Sequence, residues 1–150
     1  MSAIICVSWS RPGTQAVKKL SKSQVSDLIE AAIAVSKKAY KPYSHYPVGA
    51  AVLCGDGSIV AGANIENSSY PAGICAERSA FSAAVSMGHK NILAVAVFSP
   101  KGDISPCGIC RQFISEFGED VLVLFMWEGS WRTLPISKML PYAFSKRNLK

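Results

Sequence analysis

No apolar run in this chain approaches the ~18 residues that a membrane-crossing helix needs, so a helical membrane protein is excluded. Acidic residues are missing from the first 24 positions, which carry Arg11, Lys18, Lys19 and Lys22. Residues 25–150 hold 12 basic and 10 acidic residues, so most of the net charge of +6 sits near the N-terminus and the body is close to neutral. A nucleic-acid binder carries a basic stripe on its folded body, and that stripe is absent here. No basic residue precedes the apolar Met1–Trp9 segment, which is too short for a signal-peptide core, and Ser10–Arg11 follows it instead of a small-residue cleavage site. The chain is therefore expected to work in the cytosol, with nuclear entry open, and residues 1–20 read as a flexible extension. An even cysteine count is also lacking. Five cysteines (Cys6, Cys54, Cys75, Cys107, Cys110) without a secretory leader argue against a disulfide framework and for a metal site or a reactive thiol. Repeats and low-complexity tracts are absent. The 49% hydrophobic content over 150 residues is enough for one domain with a real core.

The periodicities alternate between helix and strand. Val25, Leu28, Ile29, Ala32, Ile33 and Ser36 recur at three- and four-residue steps, which predicts an amphipathic helix within Ser21–Tyr40, capped by Ser23 or Ser26. After the Pro42–Pro47 loop, Val48–Cys54 and Ser58–Ile65 flank Gly55-Asp56-Gly57 and read as a hairpin. Asn64–Ile74 is loop. Cys75–Gly88 is helical and apolar on most faces, hence a buried helix stopped by Gly88. Ile92–Phe98 reads as a central strand, Gly108–Phe117 as a helix, Val121–Phe125 as a buried strand and Trp131–Leu134 as an edge strand. A helical turn at Ile136–Leu140 ends at Pro141, and Tyr142–Lys150 is a tail. The pattern predicts a three-layer α-β-α sandwich, and the hairpin makes its sheet of about five strands mixed.

Two short boxes carry the chemistry. Cys107 and Cys110 form a C-x-x-C step after Pro106, at the start of a predicted helix, where the partial positive charge favours thiolates. That spacing suits zinc, and it also suits a redox dithiol. Cys75 opens another predicted helix with Glu77 two residues on. If both helix starts face one point, three thiolates meet there. Cys54 reads as a buried small hydrophobe, Cys6 lies in the extension, and neither His45 nor His89 has an obvious place, so no fourth ligand emerges. Three ligands beside a carboxylate suggest a catalytic zinc whose fourth position is left to water.

Cys75-Ala76-Glu77-Arg78 together with Pro106-Cys107-Gly108-Ile109-Cys110-Arg111-Gln112 resembles the small, homotetrameric type of cytidine deaminase. The likeness runs from about Ser21 to Leu149 and includes Pro42-Tyr43-Ser44, Val48-Gly49-Ala50, Gly62-Ala63-Asn64-Ile65-Glu66-Asn67, Tyr70-Pro71, and Leu140-Pro141 with Phe144. The zinc boxes occur in many deaminases, whereas the Asn-x-Glu-Asn segment is much more specific to those acting on free nucleosides. The resemblance implies one zinc per chain on Cys75, Cys107 and Cys110, with Glu77 as proton shuttle and Arg78 offsetting the thiolate charge. It further implies Asn64 and Glu66 on the ribose, with Tyr43, Tyr46, Tyr70 and the Ala76 backbone also on the substrate side. Phe144 is expected to reach a neighbouring subunit's site.

The implied reaction is hydrolytic deamination of cytidine and deoxycytidine in pyrimidine salvage, by an enzyme that needs neither nucleic acid nor membrane. A sister aminohydrolase acting on a cytosine-nucleoside antibiotic of the blasticidin type is the close alternative. A polynucleotide-editing deaminase and a zinc-stabilised interaction module are more distant ones. Two positions depart from the family pattern. Tyr46 stands where Phe is usual, and Phe144-Ser145 where Phe-Gly is usual.

Overall fold

The computed structural model describes residues 19–149, so most of the expected N-terminal extension lies outside the described residues. The first helix, α1 (Lys22–Ser36), is started by Ser21 rather than by Ser23 or Ser26. The Ser21 hydroxyl accepts from the Gln24 backbone N–H at 3.2 Å, and the Ser21 N–H donates to Gln24 Oε1 at 2.9 Å. This reciprocal box satisfies two otherwise orphaned donors. Ser23 and Ser26 have other bonds, to Ser21 Oγ and to Glu30. Leu28, Ala32 and Ser36, one helical turn apart, form the buried stripe. The helix is shorter than the periodicity suggested, because Tyr40 leaves it to bridge Ile65.

Five strands follow: β1 (Gly49–Cys54), β2 (Ile59–Ala63), β3 (Ile92–Phe98), β4 (Leu122–Trp127) and β5 (Ser130–Pro135). They lie in the order β2-β1-β3-β4-β5, with β3–β4 parallel and the other neighbours antiparallel. The sheet is mixed, as the hairpin implied. Helices α2 (Ala76–Ser86) and α3 (Gly108–Ser115) supply the crossovers before β3 and β4. Ala50, Val52 and Cys54 of β1 join Phe81, Ala84 and Ile114 in one core cluster, while Ala51 and Leu53 join Leu28 and Ala32 in another. Each residue of β1 is buried because helices cover both faces, which is why its sequence shows no polar alternation. Helix α4 (Ile136–Met139) closes the regular part.

Three expectations are corrected. α2 is buried along one face only, since Val85 and Met87 beyond it are exposed. β4 runs two residues past Phe125, pairing Trp127 with Ser130. The Tyr142–Lys150 tail contains a 3-10 turn at Lys146–Leu149, which Arg147 ties back through an ion pair with Glu119.

The two core-face helices are held by close approach and by aromatics. A Cβ at Gly62 of β2 would come within 2.4 Å of the Ala80 backbone nitrogen, so α2 rests directly on the strand. Phe81, fully buried, packs its ring 4.9 Å from Phe117 and 6.2 Å from Phe113, which locks α2 to α3. The backbone atoms around Gly62 have no flexible end to give way. Gly62→Ala is therefore expected to cost about 1–3 kcal/mol in urea unfolding, the usual toll of overpacking. Gly108→Ala, with open space at its Cβ, should stay within about 1 kcal/mol of the parent in the same measurement.

Candidate active site

Cys75 and Cys107 are the N-cap residues of α2 and α3. Both have extended backbones (ψ 154° and 169°) and neither thiol caps its own helix, so both are free to turn toward a shared point. Cys110 lies in the first turn of α3. The three sulfurs lie within 4.8 Å of one another, and the Cys75 and Cys107 sulfurs are 3.9 Å apart. That separation is far beyond a disulfide bond. It suits two sulfurs each ~2.3 Å from a common tetrahedral ion. Cys110 is buried, Cys75 half-buried and Cys107 exposed, so the cup opens to one side.

The electrostatics favour a negative charge on Cys75. A hydrogen bond from Cys110 draws the Cys75 thiol down to about 5, against the opposing effect of burial, and Arg78 and Cys107 help. Cys110, which gives that bond, is pushed up. Arg78 donates to the Gly73 carbonyl at 3.3 Å, and its Nε is buried with no hydrogen-bond partner among the described residues. Burial works against its charge, but the Cys75 and Cys110 sulfurs outweigh burial. Glu77 is 4% exposed, and burial first, then the Cys75 charge, lifts its carboxyl to about 7. A carboxyl near neutrality beside a metal cup is poised to give and take protons.

A cleft of about 580 Å³ opens over the cup. Cys75, Ala76, Glu77 and Cys107 form its floor, and Tyr46, Asn64, Glu66 and Tyr70 line the rest of the wall. The far wall meets the floor through Ile65, which exchanges two 2.9 Å backbone bonds with Ile74, the residue before Cys75. Asn64 Oδ1 accepts from the Val48 N–H at 2.8 Å and its Nδ2 donates to the Tyr46 carbonyl at 3.0 Å. Glu66 Oε2 accepts from the Tyr43 and Ser44 N–H groups at 2.8 and 3.2 Å, and its Oε1 accepts from the Ser44 hydroxyl. Those bonds, the Ser44 hydroxyl first, hold the Glu66 carboxyl below its usual range.

Two expected substrate residues stand apart from the cleft lining. Tyr43 packs on Tyr70 with ring centres 6.0 Å apart, behind the wall rather than on it. Phe144 is exposed, and its carbonyl accepts from Gln112 Nε2 at 2.7 Å. Other residues escaped the sequence reading. Asp103, Ile104 and Ser105 line the cleft, and Asp103 also receives the Glu128 and Gly129 N–H groups of the β4–β5 turn. Arg111, adjacent to Cys110, donates to the carbonyls of Pro106 at 2.9 Å and Met139 at 3.0 Å and pins the turn before Cys107. Its place in the Cys-Arg-Gln box was the available signal. Ser44, part of the Pro42-Tyr43-Ser44 segment, was given no role of its own. Among the described residues a second set, Cys54, Asp56 and His89, also brings metal-ligating atoms together, at the opposite end of β1.

Comparison with known proteins gives a consistent picture. The family model for the cytidine and deoxycytidylate deaminase zinc-binding region matches residues 22–126. A cytidine deaminase of Sporosarcina psychrophila is 48% identical over 128 residues, covering 81% of this chain and 94% of that protein. A probable cytidine deaminase of Dictyostelium discoideum is 41% identical over 132 residues, covering 87% and 90%. The crystal structure of cytidine deaminase from Burkholderia pseudomallei superposes with a TM-score of 0.74 at 41% identity, covering 79% of this chain and 98% of that one. The likeness spans the elements that build the cysteine cup and its cleft, and the chain belongs to the cytidine and deoxycytidylate deaminase family of zinc enzymes.

Proposed function

We propose that the chain catalyses hydrolytic deamination of cytidine and deoxycytidine to uridine and deoxyuridine, releasing ammonia, with one zinc per chain on Cys75, Cys107 and Cys110. The observation that carries this reading is a buried carboxyl, Glu77, lifted to about 7 beside three converging sulfurs at the floor of a nucleoside-sized cleft. When bound, zinc acts as a Lewis acid that makes water a nucleophile near neutral pH. Glu77 takes a proton from the attacking water and delivers it to the ring nitrogen of the pyrimidine. It then takes the remaining proton from the hydroxyl added to the ring carbon and hands it to the departing amine, so that the carbon–nitrogen bond breaks, the carbonyl forms, one water is consumed and one ammonia leaves. Three thiolates on a divalent ion leave one net negative charge, and Arg78 draws electron density from the sulfurs to restore acidity. The Ala76 backbone, buried in the floor, faces the pyrimidine carbonyl.

Asn64 and Glu66 form the sugar end. Asn64 Nδ2 has two N–H donors and spends one on Tyr46, which leaves one for a ribose hydroxyl. The Glu66 carboxylate has about four lone-pair sites and accepts three bonds from Tyr43 and Ser44, which leaves one to receive a sugar O–H. Both residues thus hold the 43–48 loop and keep one position each for the substrate. Tyr46 and Tyr70 wall the base pocket.

The assembly is a homotetramer in the cytoplasm, serving pyrimidine salvage. Support comes from Phe144, a 60% exposed aromatic that the Gln112 bond fixes in place, suited to the mouth of a neighbouring subunit's cleft. No helix among the described residues is long and apolar enough to cross a membrane.

Three measurements test this reading. Glu77→Gln keeps the size of the side chain but cannot shuttle protons. Its kcat on cytidine should fall about 10⁴-fold or more, while elemental analysis finds the zinc of the Cys75, Cys107 and Cys110 site retained at the parent's level. Retained activity would place the shuttle elsewhere, and lost zinc would make the carboxylate a ligand. Spectrophotometric assay of nucleosides against free cytosine should show the base alone to be a poor substrate, with Glu66→Gln losing the nucleosides selectively; equal turnover of cytosine and cytidine would remove the sugar clamp. Sedimentation should give a species about four times the 16.1 kDa chain, and Phe144→Ala should raise KM for cytidine several-fold, whereas an active monomer would overturn the shared site.

A further inference from the structure

At the end of the molecule remote from the cleft, three segments meet. Cys54 ends β1, Asp56 sits at the tip of the turn to β2, and His89 follows α2. The turn is closed by Cys54 N–H to Ser58 O at 2.9 Å and Gly57 N–H to Cys54 O at 3.0 Å, and Gly57 takes a φ of 90°. It is docked on the loop after α2 by Gly55 N–H to Asn91 O at 2.8 Å, and a Cβ at Gly55 would fall 2.1 Å from the Asn91 side chain. On the other side, Gly88 (φ 95°) turns the chain out of α2 and the His89 N–H returns to Ala84 O at 3.0 Å. Backbone contacts therefore hold the three segments against one another.

We propose that Cys54, Asp56 and His89 form a second metal site, for a borderline-soft divalent transition ion such as zinc or cobalt. One ligating atom from each residue lies within 4.8 Å of the others. Asp56 Oδ2 and His89 Nδ1 are 3.4 Å apart, the separation expected of an oxygen and a nitrogen each ~2.0–2.1 Å from one tetrahedral ion. The other ring nitrogen, Nε2, lies 3.5 Å from the Ser58 hydroxyl, which in turn donates to Asp56 Oδ1 at 2.6 Å. Such outer partners orient a ligating imidazole. A sulfur, an imidazole and a carboxylate select zinc, cobalt, nickel or copper over calcium and magnesium, which take oxygen cages.

Cys54 is fully buried and Asp56 exposed, so an ion enters from the Asp56 side and leaves its fourth position to water. Binding forms a metal–sulfur bond and releases the thiol proton to solvent. With thiolate, carboxylate and neutral imidazole the site balances a divalent charge without a nearby arginine, unlike the three-thiolate cup. The 11 residues of α2 put about 16 Å between the two sites, so this ion staples the β1–β2 turn to the loop after α2 and takes no part in the chemistry.

The test starts from zinc-loaded enzyme freed of excess metal and adds cobalt, followed by absorption and by metal analysis after gel filtration. The wild-type protein should take up a second ion per chain and develop a thiolate-to-cobalt band. His89→Gln and Asp56→Asn, both at accessible side chains, should weaken uptake at least ~10-fold, since even an outer-shell partner is worth ~10–100-fold, and should leave cytidine turnover unchanged. Cys54→Ser should lose the band; the other two variants carry the test if this core substitution unfolds. A wild-type protein that stays at one ion per chain overturns the site. So does a band that survives His89→Gln and Asp56→Asn, or a second ion bound without a thiolate band.

Discussion

The cleft exists because two helices begin at the same place. Cys75 and Cys107 occupy equivalent positions, each the last extended residue before a helix on the same face of the sheet. Their sulfurs meet only if α2 and α3 are set at the right depth and at the right distance from each other. Gly62 sets the depth, because any side chain there would strike the backbone of α2. Phe81, between Phe113 and Phe117, sets the distance. The geometry of the cup is thus a consequence of packing one to two turns away from it. An ion held between the two helix starts would return some of that stability, as metal binding does wherever its ligands come from separate elements.

The same convergence explains the charges. Helix starts favour anions, and here two of them turn their partial positive charge toward the sulfurs. Arg78 adds a full one from the adjacent turn. Glu77 feels Arg78 as well, but the loss of hydration on burial outweighs that pull, so its carboxyl rises instead of falling. Two acidic groups two residues apart, Cys75 and Glu77, are therefore driven in opposite directions. One is drawn toward an anion and the other toward a neutral acid, the pairing that the proposed reaction asks of a ligand and a proton carrier.

The wall of the cleft depends on side chains that serve the backbone first. Asn64 and Glu66 gather five hydrogen bonds from the loop at 43–48, and their remaining capacity faces the cleft. A loop fixed in this way is preorganised, and a ligand that binds against it spends little binding energy on ordering it. At the far end of α2 and β1 the packing is equally close, but its cluster mixes sulfur, nitrogen and oxygen and has no buried carboxyl beside it. The two ends of α2 thus offer a metal quite different surroundings.

Much of this was legible in the residues. The step of three and four in Val25–Ser36, the apolar block Ile92–Phe98 and the glycine turn after Cys54 are local patterns, and each became the expected element. The Cys-Ala-Glu and Pro-Cys-x-x-Cys boxes are local too, since each needs only one helix start. What the residues could not disclose were relations between segments. Ser23 and Ser26 read as the caps, but the reciprocal bonds of Gln24 chose Ser21. The apolar surface of α2 gave no sign of which face the sheet would cover. Ser44 serves Glu66 across 22 residues, Arg111 reaches Met139 across 28, and Cys54 meets His89 only because β1 lies under the far end of α2. Periodicity reports on a residue's neighbours along one element, where backbone geometry sets the spacing. Which elements lie side by side follows from strand order and helix depth, and those emerge only when the whole sheet closes its core.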